Sequence, residues 1–237
     1  MKQDPLAEML RPPGGLFAKL GYYCRRYGAL HAICSYVGRH WFRFWCVVGP
    51  VVTRPYLRRW LRSSGPRVLN LGGGNVLFDC WLTADMDPRS DVFMNVCKPL
   101  PLPDNSVDVV YSEEVIEHVP KARAQAMLHE CLRVLKPGGT LRLTTPDLAY
   151  FVKRALEVKE AVSEINNIFY LHGHQHIYSR EELADCLAAA GFAEIKPSSY
   201  RDPASRFGHF DTHPARVVYA PPEWSQFWEA SKPGSVR

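Results

Sequence analysis

Five residues, Arg67-Val68-Leu69-Asn70-Leu71, run straight into three successive glycines, Gly72-Gly73-Gly74, and that junction limits the fold more than any other stretch. A short aliphatic run closed by glycine reads as a buried strand opening onto a tight turn. Beyond it, β-rich runs alternate with helical patterns. Strands are expected at Leu82–Met86, Val92–Val96, Val107–Ser112, Thr140–Thr145, Phe192–Lys196 and Arg216–Ala220. Between them, Met127, Cys131 and Leu135 fall on one stripe of a helix over Lys121–Leu135, stopped by Lys136-Pro137-Gly138-Gly139. Ser179 and Glu182 form a capping box for a helix ending at Gly191. Strands interleaved with helices give an α/β chain with a doubly wound, seven-stranded, mostly parallel sheet.

The first quarter of the chain differs from the rest. Residues 1–65 hold eleven Lys/Arg against two Asp/Glu, and residues 66–237 hold eighteen against twenty-two. A basic, aromatic-rich helical extension (1–65) is therefore expected ahead of a mildly acidic domain (66–237), the two joined at Ser63-Ser64-Gly65-Pro66. Gly49-Pro50 is expected to break the helices of the extension, with a short basic helix over Tyr56–Leu61. Trp41–Val52, the most apolar stretch, includes Arg43 and is too short to span a bilayer, where about 20 residues are needed. Asp4 and Glu8 argue against a signal peptide. Seven cysteines without a C-x-x-C pair suggest neither a disulfide framework nor a zinc ribbon, so a cytoplasmic location is expected.

In sheets of this kind ligands bind beyond the carboxyl ends of the strands. Three features are expected there: the bare backbone of Gly72-Gly73-Gly74, Asp85 ending the second strand with a carboxylate suited to ribose hydroxyls, and Ser112-Glu113 ending the fourth. The motifs Val68-Leu69-Asn70-Leu71-Gly72-Gly73-Gly74, Ala84-Asp85-Met86-Asp87-Pro88, the segment Pro99 to Asp108, Glu114-Val115-Ile116-Glu117-His118-Val119 and Leu132 to Gly139 together resemble the class I S-adenosylmethionine-dependent methyltransferases of the small bacterial type. The resemblance covers about residues 66–197. It implies a Rossmann-like methyltransferase fold with S-adenosyl-L-methionine as cofactor. It further implies that Gly72, Gly73 and Gly74 line the methionine end, that Asp85 holds the ribose and that Met86 packs on adenine. Asn95 or Val96 would meet the adenine edge, and Ser112 and Glu113 would lie near the sulfonium. Two departures stand out. Asn70 occupies a position where an acidic residue is commoner, and only thirteen positions separate Gly72 from Asp85, too few for the usual helix. A nicotinamide cofactor is disfavoured, because Gly72-Gly73-Gly74-Asn75-Val76-Leu77 lacks the third glycine of G-x-G-x-x-G.

His118 and His176 are candidate general bases, since imidazole accepts a proton near neutral pH. Glu113 and Tyr178 are candidates to assist, Tyr178 equally as an anchor of the helix start. The clusters Glu114-Val115-Ile116-Glu117-His118 and His172-Gly173-His174-Gln175-His176 offer metal-ligand types, yet such residues serve as ordinary loop and helix-start groups, and no metal is expected. Tyr22, Tyr23 and Trp41 are read as substrate-side residues of a lid that excludes water over the cofactor. The expected function is methyl transfer to a small-molecule or biosynthetic acceptor. The alternatives are a cyclase that consumes the same cofactor and releases methylthioadenosine, as azetidine-2-carboxylate synthases do, and a non-catalytic binding module attached to a membrane. No nucleic-acid module is present, peripheral membrane contact through residues 1–65 stays open, and the sequence does not fix the oligomeric state.

Overall fold

A computed structural model describes residues 24, 29, 30, 33, 37, 41–158, 161–212 and 221–234. They fall into two compact units, within residues 1–95 and 96–237. Helix α1 spans Phe42–Val52 and α2 spans Arg54–Leu61. The strands are β1 Val68–Leu71, β2 Leu82–Asp85, β3 Val92–Phe93, β4 Val107–Glu113, β5 Leu135–Pro146, β6 Ala193–Ser198 and β7 Ser225–Ser231. The second unit adds α3 Lys121–Val134, α4 Leu148–Glu157, α5 Ala161–His172 and α6 Arg180–Ala190. The sheet order is β3-β2-β1-β4-β5-β7-β6, with β7 antiparallel to both β5 and β6.

In the first unit, β1 is buried at all four positions, as a central parallel strand requires. The link from β1 to β2 holds no helix. Instead Val76, Phe78 and Trp81 are buried along the loop, the last two rings packing 4.5 Å apart. The expected break at Gly49-Pro50 does not occur: α1 runs on through Pro50 to Val52 without the bond a Pro50 N–H would make to the Cys46 carbonyl. Gly49 is instead a contact point: a Cβ there would approach Phe93 Cδ2 to 2.9 Å. Thr53, between α1 and α2, donates from Oγ1 to the Gly49 carbonyl at 2.7 Å and accepts from the Phe93 N–H at 3.1 Å, tying the helices to β3. Tyr22, Tyr23 and the helix expected before residue 41 lie largely outside the described residues.

In the second unit, α3 packs on β5 and α6, and α4 pairs with α5. Phe151, Ile168 and Ile177 form a buried cluster under α4 and α5, helices the periodicity did not announce. Lys136-Pro137-Gly138-Gly139 ends α3 as expected but is already strand: β5 starts at Leu135, pairs with Val107, then skips to Thr140 opposite Val109. Pro137 disfavours a helical Lys136, which turns the chain directly into the sheet. One half of the capping box forms, while the Glu182 carboxylate turns to His176 and Lys121. Ser179 Oγ accepts from the Glu182 N–H at 3.1 Å, and Gly191 closes the helix at φ 96°. The last strand differs from expectation: Arg216–Ala220 lies outside the described residues, and the seventh strand is Ser225–Ser231.

Candidate active site

The first unit positions the glycine turn and Asp85. Gly72 and Gly74 take φ values of 78° and 57°, a region that side chains enter only at a cost. At Gly73 the constraint is space, since a Cβ would lie 2.2 Å from Asn70 Nδ2. Asn70 is buried and spends its amide on the Val76 carbonyl and Thr83 Oγ1, both at 3.3 Å. Asp85 ends β2 with Oδ2 accepting from the Gly74 N–H and Oδ1 from the Asp87 N–H, each at 2.8 Å. Burial pushes its pKa above the ordinary carboxylate value; the N–H groups of Asp87 and Gly74 oppose the rise, and the charge of Asp87 adds to it. Met86 and Asn95 are partly exposed in the same unit, and Val96, the first residue of the second, is partly exposed too.

The carboxyl end of β4 organises the second unit. Ser112 is buried, and its Oγ has no hydrogen-bond partner. Glu113, also buried, accepts from Thr212 N–H at 2.9 Å and from Thr212 Oγ1, so its carboxylate clamps the loop that follows β6. Glu114 adopts φ 56° and accepts from Ser225 Oγ at 2.8 Å. A 3-10 turn, Ile116–His118, then buries Glu117 completely. Glu117 Oε2 accepts from Thr145 Oγ1 at 3.0 Å, while Oε1 lies 3.9 Å from both His118 Nε2 and His174 Nε2. The two imidazoles meet edge to face at 4.5 Å. The backbone N–H groups of Gln175 and His176 donate to the Glu117 carbonyl, at 2.7 and 3.2 Å, locking the histidine loop to the turn.

Burial lifts the Glu117 pKa to about 7. Glu114 is raised well above the carboxylate range, first by burial and then by the charges of Glu117 and Glu113. His176 faces Glu182 at 2.9 Å and Lys121 at 3.4 Å; burial and then the Lys121 cation lower its pKa. Tyr178 is buried in the core, its OH without a hydrogen-bond partner and its pKa pushed up to about 12 by burial. The Tyr178 carbonyl accepts from Leu148 N–H and Gln226 Nε2, which holds the start of α4 beside β7. Trp41 precedes α1 and is largely exposed.

His118, Glu113, His176 and Tyr178, expected from the sequence, all lie in this unit. The structure adds Glu117, His174, Thr145, Thr212 and Ser225. Glu117 and His174 stood within the motifs, but nothing in a linear spacing shows that residues 57 positions apart converge. The three threonine and serine partners carry no local signal at all.

The sheet order, the glycine turn after β1 and the acidic end of β2 define a Rossmann-like, doubly wound α/β fold. Residues 79–143 match the model of the methyltransferase domain family. A probable S-adenosylmethionine-dependent methyltransferase of Mycolicibacterium smegmatis is 47% identical over 64 residues, 27% of this chain and 24% of that protein. A second, from Mycobacterium tuberculosis, is 35% identical over 109 residues, 46% of this chain and 35% of the relative. These alignments thus span about a quarter to a third of the relatives' own lengths. An S-adenosylmethionine-dependent methyltransferase of Archaeoglobus fulgidus superposes with a TM-score of 0.48 at 15% identity, over 90% of this chain and 99% of that one. Among the described residues, no helix is long and apolar enough to cross a membrane.

Proposed function

We propose that this protein transfers the methyl group of S-adenosylmethionine to a small-molecule acceptor. The observation that carries the reading is Asp85, whose carboxylate is fixed by two backbone N–H groups at the end of β2 and keeps lone pairs for a vicinal diol. The residues of the first unit fit the cofactor: a glycine turn bare of side chains leads into that carboxylate. S-adenosylmethionine supplies an activated methyl group on a sulfonium, displaced in line by the acceptor. Asp85 would accept from the ribose hydroxyls, and the Gly72–Gly74 backbone would border the methionine end. Glu113 acts through Thr212, holding the loop after β6 in place rather than touching the acceptor. Where the acceptor carries a proton, the imidazole of His176 is the group to receive it.

Calorimetric titration with S-adenosylmethionine, with NAD as control, tests this reading. One site for the former alone is expected. Hydrogen bonds to a charged group are worth about 1.5–3 kcal/mol, so Asp85→Ala should weaken binding at least about tenfold. Equal binding of NAD, or unchanged affinity in Asp85→Ala, would overturn the proposal. Chromatography of enzyme with cofactor and no acceptor separates methyl transfer from cyclisation, because only the latter yields methylthioadenosine.

A further inference from the structure

We propose that Glu117, His118 and His174 bind a divalent transition-metal ion. One ligand atom from each of the three lies within 4.8 Å of the others, and Glu117 Oε1 is 3.9 Å from both imidazole Nε2 atoms. That oxygen is fully buried with no donor in hydrogen-bond geometry, while the Glu117 carboxylate as a whole is shared by Thr145 Oγ1 and the neighbouring Glu114 carboxyl. Its sister oxygen is held by Thr145 Oγ1 at 3.0 Å, which fixes the direction in which Oε1 points.

The backbone is built around the same point. The histidine loop is fastened to the 3-10 turn by two N–H groups donating to the Glu117 carbonyl and by Gln175 Nε2 donating to the His118 carbonyl at 3.0 Å. Glu114 sits at φ 56°, a conformation costing roughly 1 kcal/mol or more in a residue with a side chain. Ser225 Oγ holds its carboxylate. Ligand atoms around a tetrahedral ion with bonds of about 2.0–2.2 Å stand about 3.4 Å apart. Closing the 3.9 Å pairs needs a shift of about 0.5 Å, and a pair at the 4.8 Å bound about 1.4 Å, movements that fall to the His118 ring, whose side chain is 43% exposed. Two imidazoles with carboxylate favour zinc, manganese or cobalt over magnesium, which prefers an all-oxygen shell with several waters. Three protein ligands leave coordination positions for water or for an acceptor oxygen. His172 marks the edge of the set: its ring lies 5.7 Å from His174 and packs on Trp224.

The inference does not depend on the methyltransferase reading and has its own test. The full chain, stripped with chelator and dialysed, is titrated calorimetrically with Zn²⁺, Mn²⁺ and Mg²⁺ in separate runs. Metal content after desalting is read by mass spectrometry, and thermal unfolding is followed with and without ion. We expect one Zn²⁺ or Mn²⁺ per chain, Mg²⁺ binding at least about tenfold weaker, and a Tm that rises with ion concentration. Glu117→Gln, His174→Ala and His118→Ala should each weaken binding by about tenfold or more, and His172→Ala should leave it unchanged. His118 is exposed enough for its alanine variant to fold, which keeps the test valid if the buried positions do not tolerate change. No binding by the wild type, or equal binding by His118→Ala, or loss confined to His172→Ala, would overturn the assignment.

Discussion

Asp85 shows what one residue can report about the site. Its pKa is raised from 3.8, chiefly by burial. A carboxyl raised in the folded state contributes stability that is full below its unfolded pKa and lost as pH rises through its folded pKa. The ionised form, the one the proposed function requires to accept from ribose hydroxyls, gains population over that same interval. Cofactor affinity should therefore be flat near neutrality and fall on acidification with a midpoint above 3.8, whereas Asp85→Asn should be weak and flat; titrations from pH 7.5 down to 4.5 read both. Gly73 supplies a second residue-scale prediction. An alanine methyl would overlap Asn70, which is buried and tied to Val76 and Thr83, so Gly73→Ala should cost about 1–3 kcal/mol, read as a lower denaturant midpoint. The glycine run and the acidic strand end were legible because each is a local signal. The reason for Gly73 was not, since it lies in a side chain of the preceding strand. Asn70, which in sequence registered as a missing acid, is a buried amide stitching β1 to β2.

Elements were legible where one signal stood alone and less so where two competed. The capped helix α6 follows its box and its glycine because both termini are written in adjacent residues. The seventh strand was missed at Ser225–Ser231, whose polar letters Ser, Gln, Glu and Ser mask a buried antiparallel strand between β5 and β6. Gly49-Pro50 reads as a break in isolation, yet α1 runs on to Val52 and the chain enters α2 through Thr53. That threonine lets an element-scale claim be tested. Thr53→Val keeps the shape but removes the acceptor for the Phe93 N–H and the second donor to the Gly49 carbonyl. A buried donor left unmade costs about 1–3 kcal/mol, so Tm should fall and the Phe93 amide should exchange faster with solvent. Thr53→Ser should restore most of both; an unchanged exchange rate in Thr53→Val would remove the proposed link between the helices and β3.

At the largest scale, the second unit is held by contacts that sequence proximity cannot reveal. Glu113 meets Thr212 across 99 positions, and Glu114 meets Ser225 across 111. The strongest such tie is Arg142 on β5, fully buried, with Nη2 2.6 Å and Nε 2.8 Å from the carboxylate of an equally buried Asp211. Arg142 also reaches Glu229 on β7 at 3.0 Å, Ser198 Oγ on β6 at 3.1 Å and the Ser199 carbonyl at 3.1 Å. Asp211 accepts in turn from the Arg201 N–H at 2.9 Å and adjoins Thr212, the residue clamped by Glu113. One guanidinium thus anchors β6, β7 and the loop that closes over the end of β4. Arg142→Met leaves Asp211 as an uncompensated buried charge and should cost about 3–5 kcal/mol. At roughly 2–4 °C per kcal/mol for a chain of this size, Tm should drop by about 6–20 °C. Removing both charges, as Arg142→Met with Asp211→Leu, deletes the stranded carboxylate and should recover a substantial part of that loss. The recovery separates two origins of the destabilisation: a double variant no more stable than Arg142→Met would mean that the arginine acts through its hydrogen bonds to β6 and β7 rather than by neutralising Asp211.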